Sequence, residues 1–119
     1  MGALPIAAGP ARHSAPCEAP VMVDAGRFWC TGHGAEVSTE EITLSDVESP
    51  LLLGTGVDLY FELGGMVAIE TRAVVTRAEG RLITLRFLDL NPDHAHALED
   101  FVAGRFHSST HIRQRVLAS

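Results

Sequence analysis

Apolar and polar positions alternate most clearly between Gly56 and Leu88, where three strand-like runs follow one another with short links. In the first, Val57, Leu59, Phe61 and Leu63 fall on one face at period two, and Asp58 and Glu62 fall on the other. Gly64-Gly65 is a link able to take the positive φ angles of a tight hairpin. The second run, Met66 to Ala78, is long enough to bend or carry a bulge, with Val67, Ile69, Thr71, Ala73 and Val75 on one face. Glu79-Gly80 turns the chain again. Arg81 to Leu88 then sets Ile83, Leu85 and Phe87 against Thr84 and Arg86. The pattern predicts an antiparallel meander with one buried and one wetted face.

Shorter strands precede it: Val21 to Val23, Arg27 to Thr31, Ala35 to Ser38 and Ile42 to Leu44, with Gly32-His33-Gly34 breaking or bulging the second. Before them, Pro5, Pro10, Pro16 and Pro20 interrupt small residues, so residues 1–19 read as a proline-rich arm, flexible or draped over the body. After the meander, Asn91 is placed to cap a helix with Pro92 at its first position and Asp93 facing the dipole. Ala95, Leu98, Phe101, Val102 and Phe106 make its apolar stripe, and Gly104 ends or weakens it. Thr110 to Leu117 reads as a second short helix or a continuation. The expectation is mainly β: a small antiparallel barrel of six to seven strands with a C-terminal α-helix, over residues 20–107. A short basic tail, helical or disordered, follows over 108–119.

At 119 residues the chain is one domain, large enough for a modest core without staples. No apolar run approaches the roughly 18 residues of a membrane span, and the opening Met1 to Ala8 lacks the basic start of a secretory signal. The cytoplasm is the expected compartment, with Cys17 and Cys30 as free thiols. The net charge of −6 argues against a nucleic-acid partner, which needs a basic face. All nine basic residues are arginine, and none lies between Phe28 and Thr71. Glu36, Glu40, Glu41, Asp46, Glu48, Asp58, Glu62 and Glu70 all do, whereas Arg105, Arg113 and Arg115 close the chain with no carboxylate among them. One side is acidic and the tail is basic.

Candidate chemistry is sparse. Ser38 beside Glu36 is a turn-former before it is a nucleophile and base. His94 and His96 diverge on a helix, and His107 with His111 lacks further ligands, so no metal site is expected. No phosphate loop, dinucleotide fingerprint or zinc-type cysteine spacing occurs. Neither a catalytic residue nor a cofactor is assigned. Trp29 and Tyr60 read as half-buried barrel residues.

From about Arg12 to Phe106 this layout resembles the PilZ domain, a small split barrel of bacteria that binds cyclic di-GMP. Pro50 to Leu59 is similar to the loop and strand before that family's central hairpin, Gly80 to Leu90 to its last strand, and Asn91-Pro92-Asp93 to the start of its helix. The family's ligand site joins two arginines four positions apart in the arm to a D/N-x-S-x-x-G turn. In this chain the turn falls on Glu36-Val37-Ser38-Thr39-Glu40-Glu41, keeping Ser38 but with a longer acid first and Glu41 in the glycine position. Arg12 stands for the first arginine, and Pro16 occupies the second position. Arginine suits phosphate and guanine together, so losing one costs about 1.5–3 kcal/mol. Glu40 and Glu41 further repel a dianion.

The resemblance implies a regulatory adaptor acting by protein contacts, since members lacking these motifs are associated with type IV pilus assembly and motility. Glu40, Glu41 and Glu48 on the acidic run and Arg113 and Arg115 on the tail are the expected interaction surfaces. Their opposite signs would also allow head-to-tail self-association. The alternative is a cyclic di-GMP receptor gripping its ligand through Arg12, Glu36 and Ser38, with Arg27 replacing the missing arginine and the arm ordering on binding.

Overall fold

The computed structural model describes residues 14–105. Arg12, the rest of the arm before Ser14, the expected helix from Thr110 and the tail arginines Arg113 and Arg115 lie outside the described residues. Six strands form a closed antiparallel barrel: β1 (Ser14–Asp24), β2 (Trp29–Ser38), β3 (Glu41–Ser45), β4 (Gly56–Leu63), β5 (Val67–Glu79) and β6 (Leu82–Leu88). Around the barrel the order is β1-β2-β3-β6-β5-β4, and β4 returns to β1. One helix, α1 (Pro92–Val102), packs against β1 and β2.

The meander forms as its alternation dictates. Val57, Leu59, Phe61 and Leu63 are buried, and Ile69, Ala73, Val75, Ile83, Leu85 and Phe87 join them. Phe61 and Phe87 face each other inside the barrel with ring centroids 6.2 Å apart. The link between β4 and β5 is one residue longer than Gly64-Gly65 alone. Both glycines take positive φ, and the Met66 N–H donates to the Leu63 carbonyl at 2.9 Å. An expected bulge in β5 lies between Val75 and Arg77.

The front half departs from the expected layout in two places. Ser14 to Pro20 belongs to β1, paired with β2, so this stretch is strand where the prolines suggested arm. Among the described residues, β1 has only β2 beside it until Val21. A proline whose missing N–H points away from β2 therefore removes no ladder bond. A bulge between Pro16 and Ala19, with Glu18 at φ 48°, bends the strand there.

The two runs Arg27 to Thr31 and Ala35 to Ser38 are the two ends of one strand, β2, bulged against β3 between Gly34 and Glu36. The bulge switches the buried face from even positions (Cys30, Gly32, Gly34) to Val37. That change of parity is what made one strand look like two. Cys17 and Cys30 are buried, unbridged thiols.

The helix begins as its cap predicts: Asn91 Oδ1 accepts the Asp93 N–H at 2.7 Å, with Pro92 in the first turn. Leu98 is fully buried in the common core, with Ala97 and Phe101 against it. Gly104, at φ 81°, ends the helix by donating to the Phe101 carbonyl. No helix among the described residues is long and apolar enough to cross a membrane.

Candidate functional site

The turn from β2 to β3 carries the residues singled out for ligand binding. Ser38 closes it. Its Oγ accepts the N–H groups of Glu40 and Glu41, each at 3.1 Å, and its hydroxyl donates to the Glu41 carbonyl at 3.4 Å. Both capacities of the hydroxyl are thus engaged by its own turn, the arrangement a serine makes when it shapes backbone. Glu36 points back to β1, where its carboxylate accepts the Ser14 hydroxyl at 2.6 Å. Glu40 anchors the turn to β6 through its carbonyl, which accepts the Phe87 N–H at 2.9 Å.

Strand order brings one further residue to this turn. Glu41, in the position where the motif has glycine, lies directly opposite Arg86 across the β3–β6 ladder, and both side chains are exposed. Such opposed charges are worth about 0.2–1 kcal/mol. Arg86 was legible as outward-facing on β6, but nothing local says that β6 lies beside β3. Arg27, by contrast, sits in the turn between β1 and β2, at the other end of that hairpin from Ser38. Nine residue steps along β2 separate Trp29 from Ser38, roughly 30 Å. Arg27 therefore cannot stand in for the missing arginine.

The acidic surface divides in the same way. Glu40 and Glu41 precede β3, whereas Glu48 follows it and binds β2, its carboxylate accepting the Thr31 N–H at 3.1 Å. These residues do not form one continuous patch. The helix histidines also part: His96 lies 3.6 Å from Asp100, and the buried Nδ1 of His94 has no partner among the described residues. No group of three metal-ligating side chains occurs among the described residues.

A second concave surface runs along the seam where β1 meets β4. A groove of about 690 Å³ lies against Met22, Trp29 and Tyr60, and a neighbouring one of about 560 Å³ shares Met22 and Tyr60 with it. Trp29 is 64% exposed and Tyr60 38%, so both stand on the outer face, and Trp29 is well short of the half-burial expected for it. The signal was present in the neighbour: with Cys30 buried, strand alternation turns Trp29 outward. The Tyr60 hydroxyl donates to Glu62 at 3.3 Å. The negative charge of Glu62, with lesser effects from partial desolvation and Glu70, pushes the phenol pKa up.

No family model matches the chain, and no curated protein matches it. Solved structures do. The Bacillus subtilis inhibitor of motility (MotI/DgrA) superposes with a TM-score of 0.66 at 20% identity, covering 77% of this chain and 48% of that one. This chain thus spans about half the length of the motility inhibitor. The PilZ domain of CeSA from a cellulose-synthesizing bacterium superposes with a TM-score of 0.60, also at 20% identity, covering 77% of this chain and 96% of that domain. The likeness is one of architecture, a closed six-stranded antiparallel barrel followed by one helix, and this chain therefore has a PilZ-like fold.

Proposed function

We propose that this chain is a regulatory adaptor on a PilZ-like barrel, acting by protein contacts and not by gripping cyclic di-GMP in the family's manner. The observation that carries the reading is the Ser38 turn. Its hydroxyl is engaged by the backbone of Glu40 and Glu41, and the motif's glycine position holds an acid opposed by Arg86. A dianionic ligand at this turn would face three carboxylates, Glu36, Glu40 and Glu41, against the single guanidinium of Arg86 among the described residues. The partner class that the resemblance implies is the pilus or motility machinery, and one structural neighbour is itself named an inhibitor of motility. No constellation on the described surface supports an enzymatic role, and the bacterial cytoplasm is the compartment this reading requires.

Calorimetric titration with cyclic di-GMP at moderate salt tests the reading, with Arg12→Ala alongside. The expected result is no heat and no shift in melting temperature at high protein concentration. Reversing the charge of Glu40 and Glu41 should weaken partner capture and alter motility; unchanged capture would remove that turn from the docking surface. A second reading has one observation in its favour: Arg86 puts a guanidinium beside the turn, so Arg12, Glu36 and Ser38 together with Arg86 would grip the dinucleotide. Binding tighter than about 10 μM, lost in Arg12→Ala, would establish that receptor and displace the adaptor.

A further inference from the structure

We infer that the groove along the β1–β4 seam is a docking surface for an extended, arginine-bearing peptide segment of a partner protein. The inference rests on the adaptor reading and says where and what the adaptor grips. Its first ground is the exposure of large apolar side chains at outward strand positions, where polar ones are the rule: Trp29 at 64%, Met22 at 44% and Tyr60 at 38%. The three line adjoining concavities that share Met22 and Tyr60, so the surface runs on past the width of a single side chain. A peptide in extended form, with alternate side chains about 6.5–7 Å apart, matches such a surface.

The second ground is charge. Asp24, Asp58 and Glu70 line the first concavity against Arg72, and Glu18 and Glu62 line the second with no cation beside them among the described residues. Asp24 and Asp58 are direct cross-strand partners, with Trp29 opposite Asp24 on its other side. Like charges so placed are destabilising. Neither carboxylate makes an ion pair among the described residues, although Arg72 is opposite Asp58. The raised pKa of the Tyr60 phenol reports the same negative field.

A guanidinium answers all of these features, stacking on the exposed indole while its fork meets Asp24 and Asp58. Apolar side chains at alternate positions of the peptide would cover Met22 and Tyr60. An anionic ligand is disfavoured by the same field. Strand addition to the free edge of β1 is blocked by Pro16, Pro20 and the bulge at Glu18, so recognition runs through side chains. The first concavity, with Asp24 and Trp29, stands at the far end of the β1–β2 hairpin from Ser38, so the arginine site can be tested apart from the turn.

Trp29 is the chain's single tryptophan, so intrinsic fluorescence reports on the groove directly. The probes are a nine-residue peptide alternating arginine and valine, its lysine counterpart and its glutamate counterpart, added to the full chain. The arginine peptide is expected to shift the emission saturably, more tightly than the lysine peptide, with no response to glutamate. Asp58→Asn and Tyr60→Ala should each weaken binding about tenfold, while Glu79→Gln, exposed at the end of β5 away from both concavities, leaves it unchanged.

Absence of binding to about 1 mM by fluorescence and calorimetry, or equal binding of the glutamate peptide, overturns the inference. So does a concentration-dependent dimer in sedimentation that Asp58→Asn abolishes, because the occupant would then be a second copy. Two results separate the inference from the reading beneath it. Silent peptides with partner capture still sensitive to Glu40 and Glu41 would discard the groove alone. Tight cyclic di-GMP binding lost in Arg12→Ala would discard the adaptor.

Discussion

Gly34 shows how a single side chain decides the shape of β2. A Cβ at this position would stand 2.9 Å from Cys17 Sγ, 3.1 Å from the Ala19 carbonyl and 3.2 Å from Val21 Cγ2. Gly34→Ala should therefore destabilise the barrel by about 1–3 kcal/mol, read as a lower urea midpoint. Part of that loss should return in a Cys17→Ala background, because the sulfur is the nearest obstacle; strict additivity of the two changes in a double-mutant cycle would contradict the contact. Cys17 also carries a titration signature. Burial first, and the charge of Glu18 last, raise its pKa from the ordinary 9.0, with a backbone hydrogen bond from Ala19 opposing. The unfolded thiol thus ionises before the folded one, so this residue's contribution is intact below pH 9 and is lost as pH rises through the folded value. The fall in urea midpoint above pH 9 should be smaller in Cys17→Val than in the parent. Of the residues picked from sequence for this turn, Ser38 was legible as a turn-former, because a short polar side chain at a strand end bonds its own backbone, as it does to Glu40 and Glu41. The partner of Glu36 was not legible, because Ser14 and Glu36 meet only once β1 pairs with β2.

Among the elements, α1 and the meander were the most legible, since each writes its buried face into its own period. The Asn91 cap is a local signal with a local test. Asn91→Ala should lower stability by about 1 kcal/mol, measured as a urea midpoint, and Asn91→Asp should retain most of it because the acceptor for the Asp93 N–H survives. β1 and β2 were less legible for opposite reasons. Prolines disguised the first half of β1 as arm, although an edge without a second neighbour tolerates them. In β2 the Gly34–Glu36 bulge changed which parity faces inward, and a period-two reading splits at such a point.

The molecule as a whole is set by closure, which brings strands far apart in the chain side by side. The β1–β4 seam that completes the barrel has a registered ladder only from Val21 to Asp24, and it ends on the Asp24–Asp58 pair. Asp24→Asn keeps an acceptor for the Gly26 N–H, which Asp24 now receives at 2.9 Å, and removes one of the opposed charges. It should stabilise the barrel by about 0.2–1 kcal/mol, seen as a higher melting temperature, with the gain shrinking toward zero in roughly 1 M salt. If the gain persisted in salt, repulsion across the seam would not be its cause. The sequence by itself determined the mainly β class, the meander with its buried face, the capped helix and the acidic bias, because each is recorded in residues near one another along the chain. Only the tertiary structure decided that β3 lies beside β6 and β1 beside β4. With those neighbours came Arg86 opposite Glu41, Arg27 far from Ser38, and an outward Trp29 beside opposed carboxylates. Local periodicity states which way a side chain faces. It carries no term for the strand that will stand next to it.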